Sequence, residues 1–483
     1  MKKILLPLAA IAIASCAQKA PEGPLPVIPM PQEVSLDGGI ARENAKIVTV
    51  VDAGLPPEGY AIKSTRGRIE VRGGSDAGIF YAMQTISQMK EHGGVRTGEI
   101  RDFPRYQWRG FMLDEARHFS GKERVKFLLE EMGRLKMNRF HWHLTDAQGW
   151  RIQIKALPLL TEIGAVGTHS DPSAPAQFYT QEDIREIVAY AAERHIMVIP
   201  EIDMPGHAAA ANRSYPEWNG GGSPAQPDFT FNPGKEGTYA YLGTILREVA
   251  ELFPGDYIHV GGDEVNYGSE AWLTNSDVKS LMKRENLKTL KDVEGYFLGR
   301  IADTVKVLGK TLVAWDDAMD AGRGHDGEII HWWRHDRPDK LERAAAEGIP
   351  VILCPRKPLY FDFVQHDDHE VGRKWDGFCP IEDVYAYPPR DYPNVIGLQA
   401  NLWSELTHNT DRVDFMVFPR IFALAEAEWT LPENKDYASF SERLEPEYSR
   451  LDTLGIYYYD YRDPSHHKEP AGPEIIPRQD LRD

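Results

Sequence analysis

Cysteine is scarce: three residues in a chain of 483. That excludes a disulfide-framed mini-domain, and no Cys-x-x-Cys spacing offers a structural zinc site. Positive charge is also in deficit, with 55 Lys plus Arg against 73 Asp plus Glu and a net charge of −18. Phosphate polymers and anionic membrane surfaces need clustered cations, so both are poor partners for this chain. A neutral ligand such as a sugar is unaffected by that balance. Low-complexity tracts are missing too, while 42% of the residues are hydrophobic and 10% aromatic, enough for a sizeable core. The apolar stretch at 4–14 is about eleven residues, too short for a permanent membrane span.

That stretch follows Met1-Lys2-Lys3 and leads to Ser15-Cys16. A basic start, a short apolar run and small residues are the pattern of a secretory signal. The expectation is a signal peptide over 1–15. Ile13-Ala14-Ser15-Cys16 resembles a bacterial lipobox, which implies cleavage before Cys16, lipidation of its thiol and a lipid-anchored protein in the periplasm or outer membrane. Cys354 and Cys379 then remain; about 25 residues apart, they could form one disulfide in an oxidising compartment or stand as free thiols of little information.

Residues 16–26 read as a tether rich in Pro and Ala. A small α/β domain, a mixed sheet plus a helix, is expected over 27–104, with strands near 46–51 and 69–72 and a helix at 77–91. From 105 the rhythm changes. Strand-length apolar runs recur at 110–113, 137–143, 196–199, 257–260, 311–314, 328–332, 350–353 and 395–398, with helical patterns such as 122–135, 181–194, 239–252 and 293–308 between many of them. Eight strands alternating with helices predict an α/β fold, a (β/α)8 TIM barrel over 105–440, with an open doubly wound sheet as the alternative. A last helix and a loose tail are expected over 441–483.

Polar and aromatic residues follow nearly every run, as they do at the carboxyl-end mouth of barrel enzymes. Collected there are Asp146, Asp263, Glu264, Asp362 and Glu405, Trp315, Trp333 and Trp403, Tyr360, Arg117 and His207. Carboxylates and Arg suit sugar hydroxyls, and flat indoles suit the apolar faces of pyranoses. Each Trp taken singly reads as core; three directly after barrel strands read as a platform. Glycoside hydrolysis normally places two acids on either side of the bond. Asp263 and Glu264 are neighbours after Gly261-Gly262, so they diverge from the backbone and cannot easily flank one anomeric carbon. A division of labour fits better, with Glu264 as general acid/base and Asp263 holding a substrate group that attacks. His141-Trp142-His143 puts two imidazoles on one strand face, as metal-dependent amidohydrolases do, but on the second strand rather than the first; packing beneath the mouth is the better reading.

The chain resembles the glycoside hydrolase family 20 β-N-acetylhexosaminidases. The residues that carry the likeness are Arg109 to Asp114 with Ala116 to Phe119; His141 to Asp146 with Gln148 to Arg151; Pro200 to His207; His259 to Val265; Trp315; Trp333; Tyr360 to Asp362; and Leu402 to Glu405. The resemblance implies exo-acting, retaining hydrolysis of terminal β-linked GlcNAc or GalNAc, in which the 2-acetamido oxygen attacks to form an oxazoline. It implies Glu264 as general acid/base and Asp263 on the acetamide N–H. It also implies Tyr360 on the acetamide oxygen, Trp315, Trp333 and Trp403 around its methyl, Arg117, Glu405 and Asp362 on the outer hydroxyls, and Asp146 with His207 behind the acid. No metal or cofactor is implied. The expected partners are oligosaccharides or glycoconjugates ending in N-acetylhexosamine. Release of a disaccharide or a 6-sulfated sugar, or a weakly active sugar-binding lipoprotein, are the alternatives. Glu115 departs from the pattern, where a small or apolar residue is expected; it should point away from the mouth. The loop at 219–227 is a candidate for setting what lies beyond the cleaved bond.

Overall fold

The computed structural model describes residue 20 and residues 23–476. The signal peptide and Cys16 lie outside the described residues. The described residues divide into two compact units, one holding residues 31–103 with those before 28, and one of residues 28–30 and 104–476.

The first unit is a five-stranded sheet in the order Glu33–Ile40, Arg96–Asp102, Tyr60–Ser64, Arg68–Gly73, Lys46–Val51. Only the pair Lys46–Val51 and Arg68–Gly73 is parallel. The helix Asp76–Glu91 is started by Ser75, whose hydroxyl accepts from the Ala77 amide at 3.2 Å. Its buried stripe is Tyr81, Ala82, Thr85, Ile86 and Met89. Ile79 and Met83 are half-buried at its margin, and Gly78 lets the helix backbone approach the Gly59 carbonyl, where a Cβ would sit 2.4 Å away. Tyr60 reaches Thr85 at 2.6 Å and also hydrogen-bonds Asp102, tying two strands to the helix.

The second unit is a closed barrel of eight parallel strands: Trp108–Asp114, Arg139–His143, Met197–Glu201, Tyr257–His259, Thr311–Trp315, Ile329–Trp332, Val351–Leu353 and Val395–Leu402. The last pairs with the first to close it. Every apolar run read as a strand falls on one of these. The helices Lys122–Arg134, Gln181–Ala192, Glu236–Leu252 and Leu290–Val307 stand where periodicity placed them. Two of them open with reciprocal caps, Thr180 with Asp183 and Thr289 with Asp292, which satisfies first-turn amides. Strand alternation sorts the side chains. Phe140 and Trp142 join the apolar layer under the helices, whereas His141 and His143 both reach Glu201 inside the barrel. Trp108, Ile199, Val313, Ile329 and Ile352 form a separate apolar cluster, an inward layer of the kind that makes a barrel a packed core rather than a pore.

The helix Tyr437–Leu454 belongs to the barrel unit, held by Arg443–Glu426 and Arg134–Glu447 ion pairs among side chains that are almost wholly buried. The tail differs from expectation. Glu469 accepts from the Glu370 and Val371 amides at 2.7 and 3.0 Å and pairs with buried Arg412, and the Ile476 amide donates to Ser170. Local composition predicts a loose end; a single acid meeting two backbone amides and a buried cation ties down the described part of the tail, while 477–483 lie outside the described residues. Among the described residues, no helix is long and apolar enough to cross a membrane. Cys354 and Cys379 are buried free thiols.

Candidate active site

The strand Tyr257–His259 ends at Gly261 and Gly262, both with positive φ (68° and 86°). A Cβ on Gly261 would fall 1.7 Å from an Asp203 carboxylate oxygen, so only glycine allows this turn. The turn delivers Asp263 and Glu264 to the mouth. Glu264 itself takes φ 52°, a left-handed backbone rare for a side chain of its size. His207, which faces the pair, has φ 53°. Two such residues facing each other mark a place where tertiary packing overrides backbone preference.

Ten of the eleven sequence-derived cavity and acid residues line one pocket of about 340 Å³: Arg117, His207, Asp263, Glu264, Trp315, Trp333, Tyr360, Asp362, Trp403 and Glu405. The eleventh, Asp146, is buried behind it. Asp146 accepts from His207 Nδ1 at 3.1 Å and pairs with Arg117 at 2.8 Å. His207 Nε2 in turn stands 3.5 Å from Asp263 and 3.7 Å from Glu264, charge contacts with both. Arg117 lies between Asp114 and Asp146 and covers the Trp403 ring at 5.0 Å. Arg151 fixes the loop beneath it by donating to the Glu115, Ala116, Ala165 and Gly167 carbonyls.

Aromatic rings line the same pocket. Trp333 stacks with Tyr360 (6.2 Å, 14°), Tyr360 meets Trp403 at 6.1 Å, and Trp403 meets Trp315 at 5.8 Å. Trp333 is held at both ends: Asp316 accepts its amide and Asp317 its indole N–H, each at 3.0 Å. Buried Lys340 braces the two aspartates. At the far end Glu405 pairs with Arg373 at 3.1 Å, and Asp362 lies 3.9 Å from the same guanidinium. One oxygen each of Asp263, Asp362 and Glu405 is buried without a hydrogen-bond partner among the described residues. Such acceptors cost free energy unless a ligand donates to them.

Burial pushes the Asp263 carboxyl up to about 7, with adjacent Glu264 adding to the rise and His207 opposing it. Glu264 is raised as well, by burial first and by the Asp317 charge. Asp362 rises to about 8 through burial and Glu405. Glu405 behaves oppositely: burial raises it, but Arg117 and Arg373 outweigh that and hold it at about 2. One pocket therefore holds acids of contrasting proton affinity.

Sequence reasoning missed Tyr267, Arg356, Phe363, Arg373 and Trp375, which also line the pocket. Most lie on loops without strand periodicity, and only the adjacency of Phe363 to Asp362 offered a signal. The 219–227 loop contributes no lining residue; its Asn219–Gly221 segment pairs with Thr230–Phe231 instead. Glu115 points away from the mouth, as expected. It accepts from Tyr179 Oη at 2.9 Å and from the Ser120 amide at 2.7 Å, and burial pushes its carboxyl up to about 8. A carboxyl with a folded pKa above its unfolded value stabilises fully below the unfolded pKa and loses that contribution as pH rises through the folded one. Thermal unfolding should thus show a midpoint declining between about pH 4.5 and 8, with Glu115→Gln flattening the decline; an unchanged slope in calorimetry refutes this.

Residues 106–432 match "Glycosyl hydrolase family 20, catalytic domain" and residues 37–103 match "Glycosyl hydrolase family 20, domain 2". A β-hexosaminidase of Porphyromonas gingivalis is 37% identical over 437 residues, covering 85% of this chain and 56% of that protein. One of Vibrio furnissii is 38% identical over 412 residues, covering 79% of this chain and 67% of that protein. The chain thus spans little more than half the length of the Porphyromonas relative. Among solved structures, an exo β-N-acetylglucosaminidase from Vibrio harveyi in complex with N-acetylglucosamine matches with a TM-score of 0.82 at 30% identity, over 92% of this chain and 80% of that one. A β-N-acetylhexosaminidase from Bacteroides fragilis matches with a TM-score of 0.78 at 32% identity, over 89% and 96%. With a catalytic-domain match over 106–432, a closed barrel, an acid pair at the end of its fourth strand and aromatic rings lining the same pocket, the chain belongs to glycosyl hydrolase family 20.

Proposed function

We propose that this protein is an exo-acting β-N-acetylhexosaminidase that removes terminal β-linked N-acetylhexosamine by substrate-assisted, retaining hydrolysis. The observation that carries the reading is the one-sided acid pair. Asp263 and Glu264 follow one another at a single strand end and share one imidazole, His207, in a pocket that Trp315, Trp333, Tyr360 and Trp403 also line. A two-carboxylate mechanism needs acids on both sides of the anomeric carbon, roughly 5 Å apart for retention. Two neighbours on one strand end do not meet that requirement, and on this reading the nucleophile comes from the sugar.

In this scheme Glu264 gives its proton to the glycosidic oxygen as the C1–O bond breaks. The acetamide carbonyl oxygen bonds to C1 from the opposite face, and Asp263 accepts the acetamide N–H and stabilises the developing positive charge. Glu264, now ionised, takes a proton from the water that opens the oxazoline, so configuration is retained. Trp315, Trp333 and Trp403 enclose the acetamide methyl and Tyr360 donates to its oxygen. The unpaired oxygens of Asp362 and Glu405, with Arg117, would receive the outer hydroxyls. The N-acetylglucosamine held by the Vibrio harveyi relative supports this substrate class. Release of a chromogenic aglycone from a β-N-acetylglucosaminide, inhibited by a thiazoline analogue of the cyclised acetamide, is the test. Cleavage of a plain β-glucoside at a comparable rate would refute the scheme.

We infer further that the protein is exported and anchored by a lipid on Cys16, from the basic, apolar and small-residue order of residues 1–16. Cys16→Ser is expected to shift the protein from the membrane fraction to the soluble fraction of its host. Retention in the membrane fraction by the variant overturns the anchor.

A further inference from the structure

We propose that Glu201 is a positioning residue for both halves of the catalytic site, its two carboxylate oxygens fixing the Trp315 indole on one side and the imidazole chain leading to Glu264 on the other. The inference rests on the functional reading above and extends it to a residue outside the pocket.

Glu201 ends the third barrel strand and is fully buried. Its Oε1 accepts the Trp315 indole N–H at 2.8 Å, with His259 Nδ1 at 3.0 Å. Its Oε2 meets His143 Nδ1 at 2.5 Å and His141 Nε2 at 3.0 Å. From His143 the chain continues outward. His143 Nε2 reaches Asp146 Oδ2 at 2.9 Å, Asp146 Oδ1 reaches His207 Nδ1 at 3.1 Å, and His207 faces Asp263 and Glu264. Each carboxylate in this series lies between cations or N–H donors, and each imidazole between carboxylates. His143 has an acid on both nitrogens, so both must carry protons, and these neighbours hold its pKa well above the ordinary value despite burial. Charge therefore alternates from Glu201 through His143, Asp146 and His207 to the acid pair.

A buried carboxylate is costly, and a well-packed apolar residue would often hold a barrel interior as well. What an apolar residue could not do is accept from Trp315 and His143 together. Trp315 is part of the wall proposed to enclose the acetamide methyl and so aim the carbonyl oxygen at C1, and His143 sets the orientation of Asp146 and hence of His207. A single side chain thus keeps the internal nucleophile and the proton donor in register. Misplacement of about 1 Å at either can cost on the order of 10²-fold in rate.

The test uses the full-length enzyme and Glu201→Gln, with two β-N-acetylglucosaminides that differ in leaving group, a dinitrophenolate and a sugar alcohol. The dinitrophenolate needs little proton donation; the alcohol depends on it. Glu201→Gln is expected to lower kcat for the sugar substrate by about 100-fold or more, within the span of general acid catalysis, and by at least about tenfold less for the dinitrophenyl substrate. It is also expected to weaken the thiazoline inhibitor by about tenfold or more, as lost contacts on a buried wall would. Trp315→Phe should weaken the inhibitor and keep the wild-type ratio between substrates. His143→Gln should change that ratio and keep the inhibitor affinity. Equal losses on both substrates with unchanged inhibition, as a merely structural defect in part of the molecules would give, overturn the proposal, and so does a change in only one readout. Should Glu201→Gln fail to fold, the Trp315→Phe/His143→Gln double variant decides. A combined kcat loss smaller than the product of the single losses supports coupling through Glu201, and a multiplicative loss overturns it. Failure of wild-type turnover on either substrate would instead refute the functional reading, independently of any variant.

Discussion

Glu264→Gln is expected to reduce kcat on a sugar-leaving-group substrate by about 10²–10⁴-fold while leaving KM within a few fold. The amide keeps the volume and an N–H, but has no proton to give as the C1–O bond breaks. The effect should shrink on a dinitrophenyl glycoside, whose departure needs little protonation. Burial and the Asp317 charge raise this carboxyl, which keeps it protonated to higher pH than an exposed glutamate. The basic limb of the wild-type pH profile therefore reports loss of this proton, and the variant should lack that limb. Stopped assays of both substrates across pH 4–9 check it; equal losses on both substrates would remove Glu264 from the role of proton donor.

Asp263→Asn is expected to cost about 10²–10³ in kcat, the range found when one preorganised electrostatic partner of a transition state is removed. Asparagine can still occupy the site, yet its neutral oxygen stabilises the emerging oxazolinium poorly. The loss should therefore fall on kcat, and the thiazoline inhibitor should weaken in parallel. Burial pushes Asp263 up to about 7, so kcat/KM should decline toward acid pH as this carboxylate takes a proton. Because Asp263 and Glu264 interact, the two limbs belong to the pair, the active form holding one proton between them. The Asn variant should lose the acid limb. Turnover close to wild type, or trapping of a sugar ester on any carboxylate, would refute the assignment.

The two replacements leave the fold's supports untouched. Neither Asp263 nor Glu264 braces the barrel: their contacts are with His207 and with the pocket they line. The aspartates behind Trp333 differ, since Asp316 also holds buried Lys340 and two backbone amides. Changes there would mix stability with activity.

Chain order alone determined that eight strands alternate with helices, because apolar runs of strand length and amphipathic periods are local properties that burial enforces. It also determined where polar and aromatic residues stand, since residues directly after barrel strands must emerge at one mouth. Tertiary structure decided what no local pattern encodes. Arg373 and Trp375, on a loop without periodicity, line the pocket only because the fold brings that loop beside Asp362 and Glu405. Glu201 stood in sequence only within the Pro200 to His207 motif, just past the apolar run at 196–199, and its meeting with Trp315 and His143 depends on three separate strands converging. Likewise Glu469 holds the tail through amides about a hundred residues upstream, a contact that composition cannot signal.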